Sequence, residues 1–413
     1  MEKKFLPYSH QVIDEEDIES VVRTLRSGWL TTGPTVKEFE EKFAEEVNAD
    51  YAIACSSGTG ALHLLYVANG IGPGDSVIIP SMTFLATANA VRYSGAEVIF
   101  SDVDPDTGLM NASHFRDAWM RASDKNIKAV CAVHLNGQCV DMKSMCQEVG
   151  DVLLFEDACH SLGAFIFDGS GKKVKVGACS LSNATIFSTH PVKAITTGEG
   201  GIITTNDEGL ARKLRQLRSH GVTRKQDLTE IDLTDLNNNR FMDPWYYEMR
   251  DLGFNYRLSD IHSALGISQL KKLKYFIQQR NLLRDRYEQH LCCLGKYVRP
   301  LTLVNNCIPA WHLSVALIDF EEIGISRSEV ITQLSNRGIG AQVHYIPVHQ
   351  QPYYKNRYGP LILPGVSTYY SRCLSLPLWP GMNLNDVDHV IEALVEILGI
   401  SFDRDTCIAS RDK

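Results

Sequence analysis

A single lysine, Lys193, sits between an apolar run and a glycine pair in FSTHPVKAITTGEGG, residues 187–201. Drawn out of water, its amine would lose basicity and could attack a carbonyl to form a Schiff base. Three other stretches at predicted strand ends carry groups that would complete such chemistry. FEDACHSLGA, 155–164, ends an apolar run on Glu156 and Asp157 with His160 one turn on, and a carboxylate there could hold a protonated ring nitrogen. SSGTGAL, 56–62, is a small-residue turn into a helical segment, where free N–H groups favour an anion such as phosphate. PSMTFLATANA, 80–90, offers Phe84 as a flat face for an aromatic ligand. Each has a plainer reading alone: a lysine snorkelling to solvent, an N-cap aspartate, an ordinary strand–helix turn, a core phenylalanine. Jointly they are an anion cradle, a ring-nitrogen carboxylate, a Schiff-base lysine and a stacking aromatic, the set that pyridoxal phosphate requires.

The elements that must position them follow from the texture of the chain. Seven short β-rich runs appear from residue 51 on: YAIACSS, SVIIP, EVIFSDV, AVCAVH, VLLFEDA, SLSNATIF and GGIITTN. Helical segments such as ALHLLYVANG separate the first five, which predicts a mostly parallel sheet covered on both faces. No long helix separates the last two, so the sheet is expected to carry an antiparallel strand. Ligands in such sheets sit beyond the carboxyl ends of the strands, where the four stretches fall. Two helices are predicted ahead of the sheet, with Ile13, Ile18, Val21, Val22 and Leu25 on one face of the first and Val36, Phe39, Phe43 and Val47 on one face of the second. Residues 222–250 read as a polar loop and 259–290 as one long helix. A smaller α+β unit follows, with strands at WHLSVALIDF and AQVHYIPV, a capping box at Ser326 and Glu329, and a closing helix at NDVDHVIEALVEIL. The basic run GKKVK, 171–175, is predicted as a solvated hairpin, and the last dozen residues as a frayed tail.

The chain has 413 residues, 44% hydrophobic and 22% charged, which suits about two domains with a sizeable core. A net charge of −8 disfavours nucleic acid or an anionic membrane as the main partner. The start lacks an apolar leader and no run is long enough to span a bilayer. Eleven scattered cysteines without a CxxC pair fit a reduced cytoplasm. His312, His344 and His349 show no zinc-type spacing, so no metal is expected.

SGWLTTGP, SSGTGALHL, PSMTFLATANAV, EDACHSLGA, FSTHPVKAITTGEGG and LGFNYRLSDIHSALG, in order from about residue 5 to 400, resemble the DegT/DnrJ/EryC1/StrS family of sugar-nucleotide aminotransferases. PWYYEM (244–249), VHYIPVHQQPYY (343–354) and SLPLWPGM (375–382) look like one subgroup, the UDP-4-amino-4,6-dideoxy-N-acetyl-β-L-altrosamine transaminases of pseudaminic acid synthesis. The resemblance implies a type I aminotransferase fold, with a large cofactor-binding domain over 1–265 and a small C-terminal domain over 266–413. It makes Lys193 the cofactor lysine, pairs Asp157 with the pyridine nitrogen and stacks Phe84 on the ring. Thr59, Gly60 and Ser188 hold the phosphate, His160 supports the ring, and His344 and Tyr345 line the sugar-nucleotide pocket. Asn255 would reach the phosphate of a partner subunit, which implies an obligate homodimer with shared sites. The implied reaction moves an amino group from L-glutamate to C4 of a UDP-4-keto-6-deoxy-N-acetylhexosamine. Other nucleotide 4-ketosugars (perosamine, bacillosamine or 4-amino-arabinose type) and a non-catalytic cofactor-binding regulator are the alternatives. Some relatives are dehydratases with histidine at the lysine position, and Lys193 argues against that branch. Cys159 departs from the small residue usual at its place.

Overall fold

The computed structural model describes residues 5–224 and 244–402. All seven expected runs join one sheet: β1 (Tyr51–Cys55), β2 (Asp75–Pro80), β3 (Glu97–Ser101), β4 (Asn126–Val133), β5 (Leu153–Asp157) and, after a surface hairpin of β6 (Phe165–Phe167) and β7 (Lys173–Lys175), β8 (Ala184–Ser188) and β9 (Gly201–Thr205). Their order is β1-β9-β8-β5-β4-β2-β3. Strands β2, β3, β4, β5 and β8 run parallel, whereas β9 is antiparallel to both β1 and β8. The antiparallel turn-back needs only the loop 189–200, which is why no helix separates the last two runs. Helices fill the connections from β1 through β5, and three of them start from polar side-chain caps. Ser57 caps Gly58–Ala68, Asn111 caps Ala112–Arg121 and Asp141 caps Met142–Val149. The sheet is thus an α/β layer whose carboxyl edge collects small polar residues.

A second, three-stranded sheet of Val298–Pro300, Ser314–Ile318 and Cys373–Leu376 lies in the C-terminal part. The closing helix Leu384–Leu398 packs against the helices Leu273–Leu291 and Arg327–Asn336, with Val387, Val390, Ile391 and Leu394 buried. Many contacts cross the division expected at residue 265. Among them, Cys307–Ile308 pairs with β6, and the N-terminal segment is pinned to the C-terminal part by a Leu6–Ile339 bridge and a Leu378 N–H bond to the Tyr8 carbonyl.

Three expectations change. The apolar stripe of the helix Glu15–Arg26 faces out: Ile18 and Leu25 are about half exposed, while Asp17 and Thr24 are buried. Asp17 turns inward because the Lys272 ammonium and the Gln269 amide both meet its Oδ2. The long helix is two, Asp260–Lys271 and Leu273–Leu291, broken at Lys272, whose side chain serves Asp14 and Asp17. AQVHYIPV forms no strand beyond a bridge between Gln342 and Ser375. Its N–H groups go to unrelated partners, Tyr345 to the Met82 sulfur and Val348 to the Ser81 carbonyl, so no ladder can propagate. GKKVK does form the expected hairpin arm. Most of the predicted 222–250 loop and of the tail lies outside the described residues. The ends of the former pair as Val222–Thr223 with Glu248–Met249. No helix among the described residues is long and apolar enough to cross a membrane.

Candidate active site

The loop 189–200 leaves β8 and returns as β9, tied across its neck. Thr189 and Gly200 share a backbone bond of 3.0 Å, the Thr197 N–H reaches the Thr189 carbonyl at 2.9 Å, and the two threonine hydroxyls lie 2.6 Å apart. Lys193 sits at the loop tip, its own N–H bonded to the His190 carbonyl and its carbonyl accepting from Arg280 at 3.2 Å. The glycine pair is a close-approach requirement: a Cβ on Gly201 would stand 2.2 Å from the Ser57 carbonyl oxygen. Burial pulls the Lys193 amine below its ordinary basicity, although the neighbouring Cys159 and Asp157 oppose this. The snorkelling reading therefore fails.

Lys193 opens on a cavity of about 290 Å³ at the carboxyl edge of β4, β5 and β8. Strand alternation separates the two acids of β5. Asp157 faces the cavity, its Oδ2 accepting from the Thr87 hydroxyl at 2.8 Å and its Oδ1 from the Cys159 N–H at 3.3 Å. Glu156 points the other way into a buried network, accepting from Thr185 at 2.9 Å, from Ser182 and from His134 Nε2 at 2.8 Å. Burial raises its pKa, but these donors outweigh that and hold it below the ordinary carboxylate value. Of the two acids only Asp157 lines the cavity.

At the cradle, Ser57 caps the helix and takes the Gly60 N–H at 3.0 Å. Gly58 and Thr59 line the cavity, and their N–H groups precede any intrahelical acceptor. A Cβ on Gly58 would lie 3.0 Å from Ser188 Cβ, so the missing side chain keeps the Ser188 hydroxyl beside those N–H groups. Gly60 itself does not line the cavity. Phe84 is 55% exposed and borders the cavity, its ring centroid 5.6 Å from that of Tyr345, so it is no core residue.

His160 Nδ1 accepts the Asn136 N–H at 3.4 Å, which leaves its Nε2 to donate to the Tyr345 hydroxyl at 3.1 Å. Burial, then the charge of Lys193, holds His160 well below its ordinary pKa, and the same two causes bring His344 down to about 3. His344 bonds the Ser375 hydroxyl at 2.8 Å and lines the cavity with Tyr345 and His312. These imidazoles are neutral at pH 7. Among the described residues no group of three or more His, Cys, Asp or Glu is arranged to hold a metal ion. Asn255 is exposed on the segment after 250, away from this cavity.

Sequence reasoning missed Gly58 and Thr87, both inside quoted motifs, and Tyr8 and Glu199, which also line the cavity. Thr87 follows Thr83 by one helical turn and bonds it at 2.8 Å, a spacing that could have flagged it. Tyr8 carries no local signal, because a distant bridge brings it in. The residues suit a flat, anionic, aldehyde-bearing ring: N–H groups and a hydroxyl for the anion, a carboxylate, an exposed aromatic and an amine made less basic by burial.

Residues 11–395 match the DegT/DnrJ/EryC1/StrS aminotransferase family. The spore coat polysaccharide biosynthesis protein SpsC of Bacillus subtilis (strain 168) is 38% identical over 399 residues, 95% of this chain and 97% of the relative. Helicobacter pylori PseC, an aminotransferase involved in the biosynthesis of pseudoaminic acid, superposes with a TM-score of 0.84 at 29% identity, covering 96% of this chain and 100% of PseC. The PLP form of the putative sugar aminotransferase Spr1654 from Streptococcus pneumoniae gives 0.82 at 26% identity, over 96% and 99%. Matched along nearly its whole length and holding a buried lysine and a carboxylate at one cavity, the chain belongs to the DegT/DnrJ/EryC1/StrS aminotransferase family, as a sugar aminotransferase dependent on pyridoxal phosphate.

Proposed function

We propose that the chain transfers the amino group of L-glutamate to C4 of a UDP-4-keto-6-deoxy-N-acetylhexosamine, giving UDP-4-amino-4,6-dideoxy-N-acetyl-β-L-altrosamine for pseudaminic acid synthesis. The observation that carries the reaction is Lys193, made less basic by burial and lining the same cavity as Asp157. Pyridoxal phosphate, when bound, supplies a carbonyl for the amine and an electron-withdrawing ring. Gly58, Thr59 and Ser188 would hold its phosphate, and Asp157, oriented by Thr87 and the Cys159 N–H, its ring nitrogen. Phe84 would cover one ring face. The Lys193 Nζ, which burial makes easier to deprotonate than an ordinary lysine, can take and return a proton at the reacting carbon. His160 stays neutral and fixes the Tyr345 hydroxyl at the edge of the sugar pocket.

The substrate half of this reading is supported by the likeness to PseC and by a basic cleft of about 1210 Å³. Arg218, Arg224, Arg250 and Arg257 line it beside Asp251 and Glu208, a setting suited to a diphosphate in a chain that is acidic overall. A homodimer with shared sites belongs to the same reading. The outward stripe of Ile18 and Leu25, with Trp29 and Leu252 also exposed, suits a subunit contact, and Asn255 would serve the partner's phosphate. A cytoplasmic location goes with it.

The test is spectroscopic and stepwise. The visible band of the cofactor-loaded protein should be lost with L-glutamate and restored by the UDP-4-ketosugar, with the amine at C4 read by NMR of the product. Restoration only by a ketosugar lacking the 2-acetamido group would move the chain to another branch. No band change with glutamate would sink the donor assignment.

A further inference from the structure

Two cysteines outside the cavity, Cys139 and Cys307, are brought together from segments that flank the active site. Both are free and buried. The Cys139 N–H donates to the Cys307 sulfur at 3.1 Å, so the Cys139 side chain starts within reach of that sulfur. The two segments are joined by a run of other bonds. Gln138 Nε2 donates to the Thr302 carbonyl at 3.0 Å and its Oε1 accepts from the Val304 N–H at 2.9 Å. Ala310 donates to the Gly137 carbonyl and His312 to the Asn136 carbonyl, at 3.1 and 3.0 Å. Asn136 is also the residue whose N–H holds His160, and the His312 ring lies 4.3 Å from the His160 ring. The thiol pair therefore sits on the seam that sets the histidines beside Lys193.

The chemistry of the pair is asymmetric. Both the backbone N–H and the thiol of Cys139 donate to the Cys307 sulfur, and these donors outweigh burial and bring Cys307 below the ordinary thiol range. Other buried cysteines move the opposite way: Cys55 is pushed up to about 12 and Cys373 to about 11 by burial. Cys307 also lies at a sheet edge between the exposed Asn306 and Ile308, within reach of a small oxidant.

We propose that Cys139 and Cys307 form an oxidisable dithiol that closes to a disulfide under peroxide and so lowers turnover at the neighbouring site. The Cys307 thiolate attacks one peroxide oxygen, the O–O bond breaks, and the departing hydroxide takes a proton to become water. The Cys139 sulfur then attacks the resulting sulfenic acid. The S–S bond forms, the S–O bond breaks, and the hydroxide leaves with the Cys139 proton as a second water. Two electrons pass from the sulfurs to the peroxide, and a thiol reductant reverses the change.

The experiment treats the cofactor-loaded enzyme with graded hydrogen peroxide, blocks residual thiols and maps peptides without reduction. The expected product joins the Cys139 and Cys307 peptides, two hydrogens lighter than their sum, and kcat falls several-fold in parallel and recovers with dithiothreitol. Cys307→Ser should keep the starting kcat and resist the same dose. A pair that stays reduced while Cys159 or Cys146 oxidises would overturn the proposal. So would a bridge formed with kcat unchanged, or a loss of kcat in Cys307→Ser equal to that of the native enzyme. The peptide map needs no variant and does not depend on which sugar is the substrate, whereas the kcat arm rests on the proposed reaction.

Discussion

Gly201→Ala would test how the glycine pair serves the anion cradle. The new Cβ would stand 2.2 Å from the Ser57 carbonyl oxygen and 2.7 Å from the Gly58 nitrogen, both backbone atoms. To reach even 3.0 Å the Ser57–Gly58 peptide must retreat by at least 0.8 Å (3.0 − 2.2) from β9. That peptide carries the Ser57 cap and leads into the N–H groups of Gly58 and Thr59, so the retreat displaces the phosphate end of the site. A misplacement of about 1 Å can cost on the order of 10²-fold in rate, equivalent to about 2.7 kcal/mol. Steady-state kinetics with glutamate and the ketosugar, together with pyridoxal phosphate titration of the apoprotein, should show kcat/KM down by about that factor and weaker cofactor binding. Gly72→Ala is the control, because its Cβ meets only the Ser94 carbonyl oxygen at 3.6 Å. If Gly201→Ala folds and binds cofactor like the native protein, the close-approach account is wrong.

Lys193→Ala should show no visible cofactor band and only trace amino transfer, with thermal unfolding of the apoprotein little changed, as an absorption scan and a melt will report. Phe84→Ala should leave stability within about 0.5 kcal/mol, since the ring is already more than half exposed, but weaken cofactor binding by about 2- to 12-fold in a titration. Glu156→Gln should destabilise the fold by several kcal/mol, because it leaves buried donors facing a neutral amide. The folded pKa of Glu156 is depressed, so its contribution is fully present above the unfolded value near 4.5 and fades as pH falls through the lower folded value. Acid melts of native and Glu156→Gln protein should therefore converge below that window. Mixing Lys193→Ala with Asn255→Ala subunits should restore activity to about a quarter of the native sites if each site borrows Asn255 from its partner, and nothing if it does not.

The sheet was legible because its strands are buried on both faces and read as continuous apolar runs, and because the lack of a helix between β8 and β9 marked the antiparallel strand. The candidate site was legible where a motif keeps its parts together: Asp157 and Ser188 end strands, and Lys193 lies in the loop that follows Ser188. The choice between Glu156 and Asp157 could not be made from composition, since it depends on which face of β5 each occupies. His134, the partner that claims Glu156, stands on the neighbouring strand's end. The segment 341–348 misled because periodicity describes side chains, whereas its backbone N–H groups had already gone to Met82 and Ser81. The outward stripe on the first helix misled for the converse reason: a buried ion pair at Asp17 outcompeted apolar side chains for the inward face.

The neck of the loop that carries Lys193 has a further consequence. The bonds that shape it, from Thr189 to Thr197 and from Arg280 to the Lys193 carbonyl, use backbone atoms, threonine hydroxyls and the Arg280 guanidinium, and none of these uses the lysine amine. The side chain at position 193 is thus a tool mounted on a bench that does not depend on it. A lineage can change that tool, and with it the reaction, while the sheet, the cradle and the carboxylate stay where they are. Changing the reaction here takes one residue and leaves the fold as it is.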